Sequence, residues 1–210
     1  MILNYWNNPT ILVIAAIVMI MALIFHNIVQ ATVAARFGDH QPRYSGFTRF
    51  DPQLQLEPFG VLFLFLLGFG WPKPVPVNSR NIRGRGRQEA LVWYSGPLAY
   101  LGVALLCYLA TVLFLRFGSV ELAQAFAISG DFAILHAVIN LFPVFPLDGA
   151  RAALAWGGPG VRSFIQQIAQ FGVLGFILVF FVLSATGITG AIMNFFRNLI
   201  RTLLGFIPGL

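Results

Sequence analysis

Apolar residues in this chain gather in long runs. Thr10 to about Ala35 is almost unbroken, and a helix crossing the hydrocarbon needs about 20 mostly apolar residues, so this run predicts a membrane-spanning helix. Asn8-Pro9-Thr10 forms its N-terminal cap region, with Tyr5 and Trp6 placed for the membrane interface. Residues 36 to 58 are polar and contain Pro42, Pro52 and Pro58, which predicts a loop. Phe59 to Trp71 is apolar but only about 13 residues long, marginal for a span and suited to a thin or re-entrant segment. The next stretch, 72 to 88, reads PKPVPVNSRNIRGRGRQ, and its alternating prolines forbid a helix and favour extended chain. Glu89 to Arg116 and Ala123 to Phe145 predict two more spans, the second ending at Pro143 and Pro146. A Gly/Pro-rich loop is expected over 147 to 160, followed by apolar segments at Phe164 to Ser184 and Ile188 to Ile207. The pattern predicts an all-α polytopic membrane protein, one integral domain over 1–210, with five full spans, one short one and a Pro-rich extended insertion.

Composition sharpens that picture. The chain is 58% hydrophobic and 10% charged. A soluble domain carries roughly 25% charged residues, so too few polar side chains are present to cover a water-facing surface. The first run is longer than a signal-peptide core and lacks a small-residue cleavage pattern, so it is expected to stay in place. The single cysteine, Cys107, excludes a disulfide within the chain and C-x-x-C metal chemistry. The net charge of +6 fits cytoplasmic loops and lipid headgroups, and no nucleic-acid partner is expected. Arg80, Arg83, Arg85 and Arg87 follow the prolines with no acid among them, which places loop 72–88 in the cytoplasm.

Residues 25 to 39 read FHNIVQATVAARFGD. Zinc proteases carry H-E-x-x-H on a helix, with both histidines on one face and the Glu acting as general base. The same frame here is His26-Asn27-x-x-Gln30. An amide has no basic lone pair near neutral pH, and its carbonyl oxygen is a weaker zinc ligand than imidazole. Taken alone, His26 is equally a polar residue facing a bundle interior. Ionisable residues at membrane depth are nonetheless functional candidates by default. Residues 140 to 149 read NLFPVFPLDG, so Asp148 follows a helix broken by two prolines. It is either a ligand or proton-handling group lining a cavity, or part of an Asp-Gly turn at the membrane surface. GFGWPKPVPVN at 68 to 78 and SGPLAY at 95 to 100 are Gly/Pro breaks beside apolar segments, and each is compatible with ordinary loop chemistry.

In combination these fragments resemble the short bacterial members of the site-2 protease family, intramembrane zinc metalloproteases. The order is a His-bearing first helix with an ARFGD exit, a D-P…E-P-F-G stretch, FGWPKPVPVN, SGP, then NLFPVFPLDG. The resemblance covers roughly 20 to 150, and the C-terminal apolar helices within 164–207 add little to it. It implies a site-2-protease-like helix bundle of five to six transmembrane segments in a bacterial inner membrane. By the same resemblance, zinc would be held at the positions of His26, Gln30 and Asp148, with the general base at Asn27. His26 and Asp148 keep the family residue, whereas Gln30 and Asn27 do not. Asn140 and Pro143 match the family's N-x-x-P turn, and Gly149 follows the Asp of its L-D-G motif. The family's G-P-x-x-N asparagine falls at Tyr100, and the His of its H-I-D-P segment falls at Gln55 in Gln55-Leu56-Glu57-Pro58.

Prolines and glycines are thus kept while metal- and proton-handling residues are replaced at several positions. The expectation is a pseudoprotease that binds or regulates transmembrane helices or loops of other membrane proteins. One alternative is an atypical active metalloprotease, with His136 as substitute third ligand and a carboxylate such as Glu57 as base. Another, from a different class, is a small transporter or channel.

Overall fold

The computed structural model describes residues 2–84 and 86–205. Arg85 and the last two residues of the predicted 188–207 segment lie outside the described residues. After a 3-10 turn at Ile2–Tyr5, helix α1 runs over Pro9–Arg36. Asn8 caps it by accepting the Ile11 N–H at 3.2 Å, Pro9 at the start has no N–H to leave unpaired, and Arg36 faces the negative end of the helix dipole.

The polar stretch that follows is mostly irregular, interrupted by two four-residue helices, α2 at Gln41–Tyr44 and α3 at Pro52–Gln55, each with a proline in its first turn. The short apolar segment forms α4, Pro58–Leu67, whose 10 residues reach about 15 Å, half the hydrocarbon thickness. It stops at Gly68, where φ of 79° suits glycine. The Pro-rich stretch from 72 to 78 is non-helical, as its sequence predicts, and makes one bridge between Leu56 and Pro72. Its Lys73 N–H donates to the Gln55 carbonyl at 2.7 Å. The fully buried Asp39, at the exit of α1, accepts from the N–H of Asn78 at 2.7 Å and from the Asn81 side chain at 3.0 Å. A backbone bond from Arg83 to Phe37 at 2.8 Å completes the tie. Arg36, Arg80, Arg83 and Arg87 therefore share one end of the bundle.

Helix α5 spans Arg87–Arg116 and α6 spans Val120–Leu141, and the two pack along their lengths. The core lies where α1, α5 and α6 meet. Met19, Ala22 and Leu23 of α1 join Tyr100, Ala104 and Tyr108 of α5 and Ala133, Ile134 and Ala137 of α6. Alanine recurs here because small side chains let helices approach closely where lipid supplies no hydrophobic drive. Ile17, Met21 and Phe25 on α1 and Leu98, Leu106 and Leu113 on α5 are exposed. Helices apolar on both inner and outer faces are at home in lipid. Among the described residues, α1, α5 and α6 are the helices long and apolar enough to cross a membrane.

Two expectations change. The predicted loop at 147–160 contains a helix, α7, at Asp148–Trp156. The Asp-Gly and Gly-Gly-Pro signals bracket a run of Ala, Leu and Arg, all strong helix formers, and docking on α5 fixes it. There the Arg151 guanidinium sits 4.7 Å from the Trp93 ring centroid. The apolar run at 164–184 is divided between α8, Pro159–Ala169, and α9, Gly172–Ala185, whose first residue, Gly172, has φ of 53°. The last helix, α10, is Ile188–Gly205 and packs chiefly against α6.

Candidate functional site

The site forms where α1 meets α7. His26 lies nearly three turns inside α1 from its Arg36 end, and Asp148 is the first residue of α7. Residues 122 apart in the chain thus meet, with His26 Nε2 2.7 Å from Asp148 Oδ2 and both side chains buried. Two glycines permit this approach. A Cβ on Gly96 would fall 2.3 Å from His26 Nε2, and one on Gly149 would fall 2.3 Å from the Leu141 carbonyl oxygen. The Ser95-Gly96-Pro97 signal, compatible in the sequence with a loop, lies inside the unbroken α5, where Gly96 lets that helix back directly onto the His26 ring.

Asn27 is buried beside them. Its Nδ2 donates to the Lys73 carbonyl at 2.9 Å, which turns its Oδ1 toward His26 Nδ1 at 3.1 Å. His26 Nδ1 therefore carries a proton and donates it to Asn27. The amide at the base position thus links α1 to the Pro-rich segment, a role that requires the long-range contact to Lys73.

Gln30 lies on the same face of α1 and is buried, with its Nε2 lacking any hydrogen-bond partner among the described residues. Tyr100 stacks on His26 with ring centroids 4.9 Å apart, and its buried hydroxyl is also unpaired. His136 is fully buried nearby, its ring 5.4 Å from that of Tyr100. Both of its nitrogens are engaged. Nδ1 donates to the Phe132 carbonyl at 2.8 Å, and Nε2 accepts from the Gly70 N–H at 3.1 Å. His136 thereby holds the chain reversal after α4. Asn140 donates to the His136 carbonyl at 2.9 Å, and Pro143 is exposed beyond the end of α6; neither hydrogen-bonds the His26–Asp148 pair among the described residues. Glu57 precedes α4 and forms no bond to that pair.

Catalytic zinc takes three protein ligands and leaves a fourth position for water. The donors that converge here are one imidazole nitrogen and one carboxylate oxygen. Gln30 contributes only a neutral amide, and the lone pair of His136 that would bind a metal is taken by Gly70. No group of three or more His, Cys, Asp or Glu side chains gathers as a metal site among the described residues. This donor set does not fit a catalytic zinc.

Comparison with known proteins extends beyond the motifs. Over 198 residues, 91% of this chain and 90% of the relative, the sequence is 30% identical to a Bacillus subtilis (strain 168) protein named "Putative zinc metalloprotease YwhC". It is 29% identical over 201 residues, 93% of this chain and 74% of the relative, to "Putative zinc metalloprotease Rip2" of Mycolicibacterium smegmatis. A Mycobacterium tuberculosis (strain H37Rv) protein of the same name is 28% identical over 168 residues, 78% of this chain and 64% of the relative. No family profile matches the chain, and no solved structure does.

Proposed function

The chain belongs to the site-2 protease family, and on that premise we propose that it is a member without hydrolytic activity, one that keeps the fold to bind or regulate segments of other membrane proteins. One observation carries the reading. At the general-base position stands Asn27, and its amide is spent between His26 Nδ1 and the Lys73 carbonyl. Hydrolysis needs a group there that takes a proton from water, and an amide does not. Losing a general base costs about 10²- to 10⁴-fold by itself. The incomplete zinc donor set acts in the same direction. The retained prolines, glycines and buried core keep the shape in which the family presents a site at membrane depth.

The chain is an integral membrane protein. In this proposal its Arg-rich end, with Arg80, Arg83 and Arg87, faces the cytoplasm of a bacterial cell, as the excess of positive charge favours.

The test is zinc per chain in detergent-purified protein beside a His26→Ala control, together with cleavage of membrane-spanning peptides in proteoliposomes. The expected result is no zinc above the control and no cleavage that depends on His26. Reproducible cleavage by the wild type, lost in His26→Ala, overturns the proposal.

A further inference from the structure

A second set of charged groups meets away from His26. Asp131 lies near the middle of α6, about 16 Å from either end at 1.5 Å per residue. Its Oδ1 accepts from Arg197 Nε and Nη2, each at 2.8 Å, and from the Tyr108 hydroxyl. Its Oδ2 accepts from nothing among the described residues. The Asp131 side chain is 42% exposed and that of Arg197 is 25% exposed.

The helix that supplies Arg197 buries Thr189, Ile200 and Leu204, and its exposed side carries a polar strip of Asn194, Asn198 and Arg201 beside an apolar strip of Phe195, Leu199 and Leu203. Arg201 makes no ion pair among the described residues. Contact with the middle of α6 sets this helix at membrane depth, where open carboxylate and guanidinium groups facing hydrocarbon are costly. Something polar must cover the face.

We propose that the cover is a second copy of this chain, docked about a twofold axis along the membrane normal, with Arg201 of each copy paired to the open Asp131 oxygen of the other. The face supplies its own complement, an unmet cation beside an unmet carboxylate oxygen. A twofold contact uses such a face twice, because residue i meets j and j meets i. The difference in depth is small enough to bridge: Arg201 is four residues beyond Arg197, about 6 Å along the helix, a step that an arginine side chain can span. The inference is independent of whether the His26 site hydrolyses peptides.

The test uses full-length protein in native membranes, in a Cys107→Ala background, with Asn198→Cys as reporter. Leu98→Cys is the control, on an exposed part of α5. The expected result is a disulfide-linked dimer of the Asn198 variant under mild oxidation and little from the control. Mass measurement in nanodiscs should give a dimer for the wild type and for Arg201→Lys. Arg201→Glu should weaken association roughly 30-fold or more, the scale of breaking one partner of a desolvated charge pair, while keeping the wild-type helical circular dichroism. Any of three results overturns the proposal: a monomer in nanodiscs, cross-links from Asn198 to other membrane proteins in place of itself, or a dimer that folded Arg201→Glu leaves intact.

Discussion

Restoring one imidazole should restore a metal. Gln30→His puts a second ring one helical turn from His26, on the same face of α1. The fit can be worked from the existing pair. Two ligands of a tetrahedral zinc at about 2.0–2.1 Å from the metal stand about 3.3 Å from each other. His26 Nε2 and Asp148 Oδ2 are 2.7 Å apart, so the pair must open by about 0.6 Å to admit the ion. Gly96 backs onto the His26 ring closely, so the opening has to come from Asp148 at the start of α7. A shift of this size lies within ordinary side-chain adjustment, and Gln30→His should hold close to one zinc per chain. Adding Asn27→Glu should then raise cleavage of a membrane peptide by about 10²- to 10⁴-fold over Gln30→His alone. Elemental analysis of the purified variants reads the first outcome, and a proteoliposome assay reads the second. The reasoning is refuted if folded Gln30→His stays free of zinc. It is equally refuted if the wild type already holds one zinc that His26→Ala removes, because the donor set would then be complete without a second imidazole.

Other perturbations test the scaffold around the pair. Gly96→Ala drives a methyl group to 2.3 Å from His26 Nε2 and should lower stability by about 1–3 kcal/mol, read as a fall in thermal midpoint in detergent. His136→Ala leaves the Gly70 N–H without its acceptor and should cost about 1–3 kcal/mol before lost packing is counted, again read from the thermal midpoint. Asp39→Ala removes the acceptor shared by Asn78, Asn81 and Gln41. Trypsin should then cut after Arg80 and Arg83 faster than in the wild type, while bulk helicity, followed by circular dichroism, stays unchanged.

The long helices were legible because lipid asks little of a sequence beyond length and apolarity. The runs beginning near Thr10, Glu89 and Ala123 became α1, α5 and α6 within a few residues. Local punctuation misled at α7, where Asp148-Gly149 reads as a turn, while the helix is fixed by Arg151 on Trp93, a contact made across the fold. Pro97 did not break the span predicted over Glu89 to Arg116 and sits inside α5, because a helix buried among neighbours tolerates a proline that an isolated one would not. At the site, the spacing of His26 and Gln30 and the candidacy of Asp148 could be read from the sequence, and the structure brings His26 and Asp148 into contact. The stacking of Tyr100 on His26 and the link from Asn27 to Lys73 could not, since each depends on how distant segments cross. His136 shows the limit of spacing arguments. One turn before Asn140 it looks available as a ligand, yet a backbone N–H 66 residues away claims its lone pair.

The stretch from Pro72 to Asn78 has a bearing on how this protein keeps to itself in a crowded membrane. Chain that is neither helix nor sheet normally exposes amide donors that hydrocarbon cannot solvate and that stray strands can recruit. Here Pro72, Pro74 and Pro76 have no such donors, and those of Lys73, Val77 and Asn78 already bond within the chain. A foreign strand approaching this edge finds carbonyl groups but almost no donors to pair with, so a ladder cannot propagate along it. The prolines thus let irregular backbone rest beside a buried polar centre while denying it a use as a template for aggregation.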